Sequence, residues 1–376
     1  SFFAKQNLGS DKSLKDYYAL SQQLANKDNS KTSVSFLAVG DIMLSRNVAA
    51  AIKKANDPLL PFSKMAGILK SADFSFGNLE SPFSGSDYFN SSGSMVFNAP
   101  RNNIKGLVDN KFKVLSLANN HALDQGLKGL EYTSKYLGDN NIQHVGAGKN
   151  LEEALQPAII DANGIKTCFI GASYASINDN GKTRNDYVAR IEDTEKLKTQ
   201  ISNAKSTCDF VIVSLHAGTE YTRKPNQAQI DFAHRAIDAG ADMVIGSHPH
   251  WIQTMEKYNG KYIFYSLGNF IFDQMWSTDT REGLAIKMTI SKQGNCHPAL
   301  DAGSINQKID SGYPPSADSG MTCGDGLQGT RMPATLESIE LIPIIIENYS
   351  TPRLANIDEV KNVLEKIEQT QTKLLP

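Results

Sequence analysis

Short apolar runs alternate with amphipathic segments along most of this chain, and that alternation limits the fold more than any other feature. Residues 34–39, 114–117, 166–172 and 243–245 have the length and apolar content of buried strands. Between them, residues 47–55, 127–137, 192–204 and 227–239 read as helices. Strands alternating with helices make an α/β fold. Ligands in such folds bind outside the carboxyl ends of the strands, where loops converge. The residues that end each run are therefore the ones that bear on function.

Five runs end in side chains able to bind a metal: Asp41, then Asn78 with Glu80, then Asn120 with His121, then His216, then His248 with His250. Four of the seven histidines belong to this set. Each residue alone has an ordinary alternative. Asp41 follows a glycine and could cap a helix; Glu80 could be a surface charge; Asn120 could be a turn residue; His216 could be a hydrogen-bonded core histidine. Their recurrence at successive strand ends favours one site. Within it, Asp41, Glu80, Asn120, His216, His248 and His250 (two carboxylates, an amide and three imidazoles) form a mixed oxygen and nitrogen set suited to Mn, Fe or Zn rather than Ca.

The remaining organisation follows from local pattern. Residues 11–27 have helical spacing and lead through a polar linker into the main domain, which spans 33–347. Residues 102–110 look amphipathic, and 142–146, 158–160, 283–291 and 336–346 read as further strands. Asn259-Gly260 reads as a tight hairpin turn between strands at 251–257 and 262–267. Residues 292–333, rich in Gly, Ser, Pro and Asp, form an extended insertion, and 358–370 a C-terminal helix within a segment covering 348–376. Of the four cysteines, Cys296 and Cys323 flank that insertion; a disulfide closing it and four separate thiols are both open readings, with Cys168 as a small core residue. A net charge of −2 leaves no basic field to attract nucleic acid. No apolar run reaches the roughly 18 residues that span a bilayer. The first residues lack the apolar stretch of a signal peptide, and the chain does not begin with Met. A processed or truncated chain is expected, its export signal or membrane anchor preceding Ser1.

The motifs GDIML at Gly40, NLE at Asn78, NNHALDQG at Asn119, HAGTEY at His216, GADMVIGSHPH at Gly240 and YSLGNFIFD at Tyr265 resemble the CapA family, named for poly-γ-glutamate capsule synthesis. Their order is also similar to the calcineurin-like metallophosphoesterases. The resemblance implies a four-layer α/β/β/α sandwich, a location outside the cytoplasmic membrane, and one or two divalent ions (Mn, Zn or Fe). Carried over, Asp41, Glu80 and His250 would hold one ion, and Glu80, Asn120, His216 and His248 the other, with Glu80 bridging. His121 would act as general acid or base, with Asp124 fixing its imidazole. Two departures weaken the first ion site: Met43 stands where phosphoesterases carry a histidine, and Glu80 replaces the usual bridging aspartate.

Asn78, Glu220, Tyr221, Arg223 and Asn269 are candidate substrate contacts. The leading expectation is a metal-dependent, extracytoplasmic protein in the synthesis, export or anchoring of a poly-γ-glutamate-type polymer, working with a membrane-bound synthesis complex. The alternatives are a phosphoesterase for a small anionic substrate and a non-catalytic accessory protein that binds polymer.

Overall fold

Side chains along the first strand alternate between two cores, and this sets the layering. The computed structural model describes residues 31–174, 186–293 and 333–368. In β1 (Lys31–Ile42), Val34, Phe36 and Ala38 face a core between two sheets, while Leu37, Val39 and Ile42 face a core beneath helices. That is the period-two alternation of a strand covered on both sides.

β1, β2 (Phe74–Leu79), β3 (Phe112–Ser116) and β4 (Gln143–Val145) are parallel neighbours in the first sheet. Helices α1 (Arg46–Ala55) and α2 (Gly126–Asp139) cover its outer face through Val48, Ile52, Leu130 and Leu137. The chain then builds the second sheet from β5 (Ala158–Ala162), β6 (Ile165–Ser173), β7 (Phe210–His216), β8 (Met243–Ser247), β9 (Met255–Tyr258) and β10 (Lys261–Phe264). Its outer face packs on α3 (Thr194–Thr207) and α4 (Gln227–Asp238) through Leu197, Ile201, Phe232 and Ala236. β11 (Asn269–Ile271) returns to pair with β1, and β12 (Glu282–Gln293), β13 (Thr335–Glu347) and β14 (Thr351–Leu354) complete the first sheet. α5 (Ile357–Glu368) buries Val363 and Ile367 in the core between the sheets. The result is the expected four-layer α/β/β/α sandwich.

Phenylalanines bind the sheets together. Phe169 of β6 lies 5.0 Å from Phe76, 6.1 Å from Phe74 and 6.2 Å from Phe36 between ring centroids. Each fully buried phenylalanine contributes about 1.5–3 kcal/mol.

Several local readings differ from the structure. The strand read at 251–257 begins only at Met255, and the strand read at 262–267 ends at Phe264, where the chain leaves the second sheet for the first. Gly246 permits that crossing, since a Cβ there would meet the Tyr265 carbonyl oxygen at 2.0 Å. Asn259 and Gly260 do turn the β9–β10 hairpin, with φ of 47° and 76°. Cys168, read as a core thiol, forms a disulfide with Cys208, because β6 and β7 are neighbours and bring the two Cα atoms to 5.9 Å. Cys296, Cys323 and the helix read at 11–27 lie outside the described residues. No helix among the described residues is long and apolar enough to cross a membrane.

Strand register delivers the polar residues to one end. In the first sheet Asp41 stands opposite both Asn78 and Asn269. In the second, His216 stands between Ser173 and Ser247.

Candidate metal centre

Gly40 lets β1 and β11 approach, for a Cβ there would lie 1.8 Å from the Gly268 carbonyl oxygen. This presents Asp41, fully buried, beside Asn269. Glu80 follows β2, and its N–H is tied to the Ile42 carbonyl at 2.9 Å. His248 and His250 both have left-handed backbones, φ 101° and 57°. Such a conformation is strained for non-glycine residues and persists only where its surroundings dictate it. One such tie is the His248 N–H, which donates to Asp41 Oδ2 at 3.3 Å across the two sheets.

Ligand atoms of Asp41, Glu80 and His216 lie within 4.8 Å of one another, all buried. Around this triple, His216 Nε2 meets Asn120 Oδ1 at 2.8 Å, and His250 Nε2 lies 3.9 Å from Glu80 Oε1. The triple takes members from both ion sets that the resemblance implied, so the residues form one continuous cluster. Glu80 Oε1 and His248 Nδ1 are buried without a hydrogen-bond partner. A buried polar atom left unpaired costs about 1–3 kcal/mol, and each of these atoms is free to ligate a cation. The donor set of carboxylate, amide and imidazole fits a borderline divalent ion.

Electrostatics are consistent with this. Burial, then the charge of Asp41, pushes the Glu80 carboxyl well above the usual range. Burial, then the neighbouring histidines, pushes His216 well below its ordinary value. Burial, then His250, brings His248 down to about 3. Both imidazoles are therefore neutral near pH 7, as ligation requires.

Met43 is buried in the core beneath α1, and its sulfur accepts the Ser45 N–H at 3.1 Å. It takes no part in the cluster. His121 Nδ1 pairs with Asp124 Oδ2 at 2.8 Å, leaving Nε2 facing Glu80 Oε1 at 3.8 Å.

The expected substrate contacts divide. Tyr221 stacks toward His250 with 6.0 Å between ring centroids, and burial, then Glu220, pushes its phenol up to about 12. Glu220 is half-buried beside it. Arg223 instead pairs with Asp279 and donates to the Ile252 carbonyl at 3.1 Å, so its charge is neutralised within the fold. Asn269 is buried and orients His250. Its Nδ2 donates to the Thr280 carbonyl at 2.9 Å, so Oδ1 accepts His250 Nδ1–H at 2.9 Å and leaves Nε2 free for a ligand. Asn78 is likewise buried, among Asp41, Glu80 and His216.

Sequence reading missed Phe97 and Arg46. Phe97 stacks on His121 at 4.0 Å and donates its N–H to Asp124 Oδ2 at 2.6 Å. The Arg46 guanidinium covers the Phe97 ring at 4.8 Å and pairs with Asp273. Arg46 closely follows the GDIML motif, which was a usable signal; Phe97 lies just past a Gly/Ser-rich loop with no pattern to mark it.

Four layers, with these polar side chains gathered at the strand ends, give the chain a metallophosphatase-like fold. The chain belongs to the family described as bacterial capsule synthesis protein PGA_cap, whose model matches residues 35–274. It is 35% identical over 264 residues to the PGA biosynthesis protein CapA of Bacillus subtilis, covering 70% of this chain and 68% of that protein. It is 32% identical over 288 residues to the capsule biosynthesis protein CapA of Bacillus anthracis, covering 75% and 69%. Among solved structures, the NAD nucleotidase of Haemophilus influenzae matches with a TM-score of 0.44 and 11% identity, over 92% of this chain and 57% of that one.

Proposed function

We propose that this protein acts in the synthesis of a poly-γ-glutamate-type capsule polymer as a metal-dependent, extracytoplasmic member of its family. The observation that carries this reading is a pair of buried atoms without hydrogen-bond partners, Glu80 Oε1 and His248 Nδ1, with His250 Nε2 3.9 Å from that oxygen. Asp41, Glu80, Asn120, His216, His248 and His250 would hold the ion, which supplies Lewis-acid polarisation of a carbonyl or phosphoryl oxygen. Among the protein's own groups, Asp124 accepts the Nδ1 proton of His121 and so leaves Nε2 to take or give a proton at the cluster. Phe97 covers one face of that imidazole and keeps water from it. The Tyr221 phenol, held protonated, is a donor toward an anionic group of the polymer. The Cys168–Cys208 disulfide supports a location in an oxidising compartment, outside the cytoplasmic membrane.

The test is made in a host that produces the polymer. Replacing the native gene by a His121→Ala version is expected to abolish polymer while the protein accumulates at its normal level. Normal polymer with His121→Ala would defeat the catalytic reading and leave a purely binding role.

A further inference from the structure

The Asn78 side chain can point only one way. Asn119 Nδ2 donates to the Leu79 carbonyl at 2.8 Å, and Asn119 Oδ1 accepts the His121 N–H at 3.0 Å. A carbonyl only accepts and an N–H only donates, so the Asn119 amide is fixed. Its Nδ2 also lies 3.0 Å from Asn78 Oδ1, which must accept. Asn78 therefore turns its N–H2 the other way. There Nδ2 stands 2.8 Å from Asp41 Oδ1, 3.4 Å from Glu80 Oε2 and 3.2 Å from His216 Nδ1. On this face, a cation bound to those three atoms would overlap the nitrogen. The remaining atoms differ: Glu80 Oε1 and His248 Nδ1 have no hydrogen-bond partner, and His250 Nε2 faces Oε1.

We propose that the Asn78 amide is a fixed surrogate for a cation: it closes the position among Asp41 Oδ1, Glu80 Oε2 and His216 Nδ1, and directs the divalent ion to the opposite side of Glu80, at Oε1. The proposal rests on the ion-binding reading above. It makes Asn78 a positioning residue that sets where and how many ions bind. An aspartate there has nearly the same shape but adds a third carboxylate against Asp41 and Glu80. A buried like-charge cluster of that kind demands a cation. Asn78→Asp therefore converts the closed position into a second ion site.

The full chain is purified, loaded with Mn²⁺, desalted and assayed for Mn²⁺ per chain. Paramagnetic resonance then distinguishes isolated Mn²⁺ from an exchange-coupled pair. Asn78→Asp is expected to hold one more Mn²⁺ per chain than wild type and to give the coupled spectrum. Equal stoichiometry and an uncoupled spectrum overturn the proposal. Asn78→Leu, similar in shape but without a donor, serves if the aspartate variant does not fold. Its melting temperature in chelator is expected to fall by about 5 °C or more. A leucine variant that melts with wild type in chelator also overturns the surrogate role. Wild type that binds no Mn²⁺, beside an aspartate variant that binds one, defeats the ion-binding reading of the native protein while upholding the role of Asn78.

Discussion

At His121, a single carboxylate decides which ring nitrogen is free. Asp124 Oδ2 accepts from His121 Nδ1 at 2.8 Å and from the Phe97 N–H at 2.6 Å. Asp124→Asn keeps the shape and, fixed by the Phe97 N–H, keeps a carbonyl oxygen on His121 Nδ1, but it removes the negative charge that supports the ring when Nε2 takes a proton. Groups that orient a functional imidazole in this way typically change activity by about 10–100-fold when altered. Polymer formation by Asp124→Asn is expected to fall in that range with the bound-metal content unchanged; a parallel loss of metal would show that Asp124 instead supports the ion cluster. The pairing of His121 with Asp124 was legible in the sequence, because they stand three positions apart just past a strand end. The roles of Asn78, Asn269 and Arg223 were not. Their residue types suit a substrate contact equally well, and only burial and hydrogen-bond direction separate the readings. Met43 shows the reverse case: its chemistry alone excluded it as a ligand for a hard cation, and its side chain lies in the core.

The C-terminal helix illustrates how an element is held by its first turn. Asn356 Oδ1 accepts the Glu359 N–H at 3.0 Å, and Glu359 Oε2 accepts the Asn356 N–H at 2.8 Å, a reciprocal capping box. Arg353 of β14 grips the same carboxylate at 2.7 and 2.9 Å. The Arg353 hydrogen bonds, the largest cause, hold the Glu359 carboxyl at about 2. A folded-state value below the ordinary one stabilises the fold above the ordinary carboxyl range and is lost as pH falls toward about 2. The site is partly exposed, so solvent limits the charge contribution to about 1 kcal/mol. Glu359→Gln keeps a capping acceptor and loses the charge. Urea unfolding is expected to place the variant below wild type at pH 6, with the gap narrowing steadily as pH falls toward about 2. A gap that stays constant across that range would assign the stabilisation to capping alone. The helix itself was legible from its apolar spacing, as were most strands of the two sheets. Strand order was not, because periodicity reports which face is buried and says nothing about which strand lies alongside. The crossing after β10 and the return through β11 depend on close approaches at Gly246 and Gly40, visible only once the partner backbone is in place. The Cys168–Cys208 pairing follows from the same unseen adjacency of β6 and β7.

The two sheets share an aromatic core along their length, but at the functional end they meet through polar atoms. Asn120 of the first sheet's loops meets His216 at 2.8 Å, and Asp41 accepts from His248 at 3.3 Å. An ion held by Asp41, Glu80 and Asn120 on one side and His216, His248 and His250 on the other would join both halves. The unfolded chain does not assemble that set, so the binding free energy adds to stability. At a free ion concentration 100-fold above Kd the gain is about 2.7 kcal/mol. For a domain of this size each kcal/mol moves the melting temperature by roughly 2–4 °C. Mn²⁺ or Zn²⁺ is therefore expected to raise the melting temperature by roughly 5–10 °C, and chelator to reverse the rise. The control must separate this from ions adsorbed on exposed carboxylates elsewhere. Glu80→Gln provides it, because glutamine matches the volume of a residue that is fully buried and removes the charge that faces the ion. In chelator the variant is expected to melt within about 2 °C of wild type, since a neutral group at position 80 relieves the repulsion from Asp41. With Mn²⁺ it is expected to gain nothing. Equal gains in wild type and Glu80→Gln would place the stabilising ions elsewhere on the surface, and the convergence of the two sheets on Glu80 would then have a purely structural meaning.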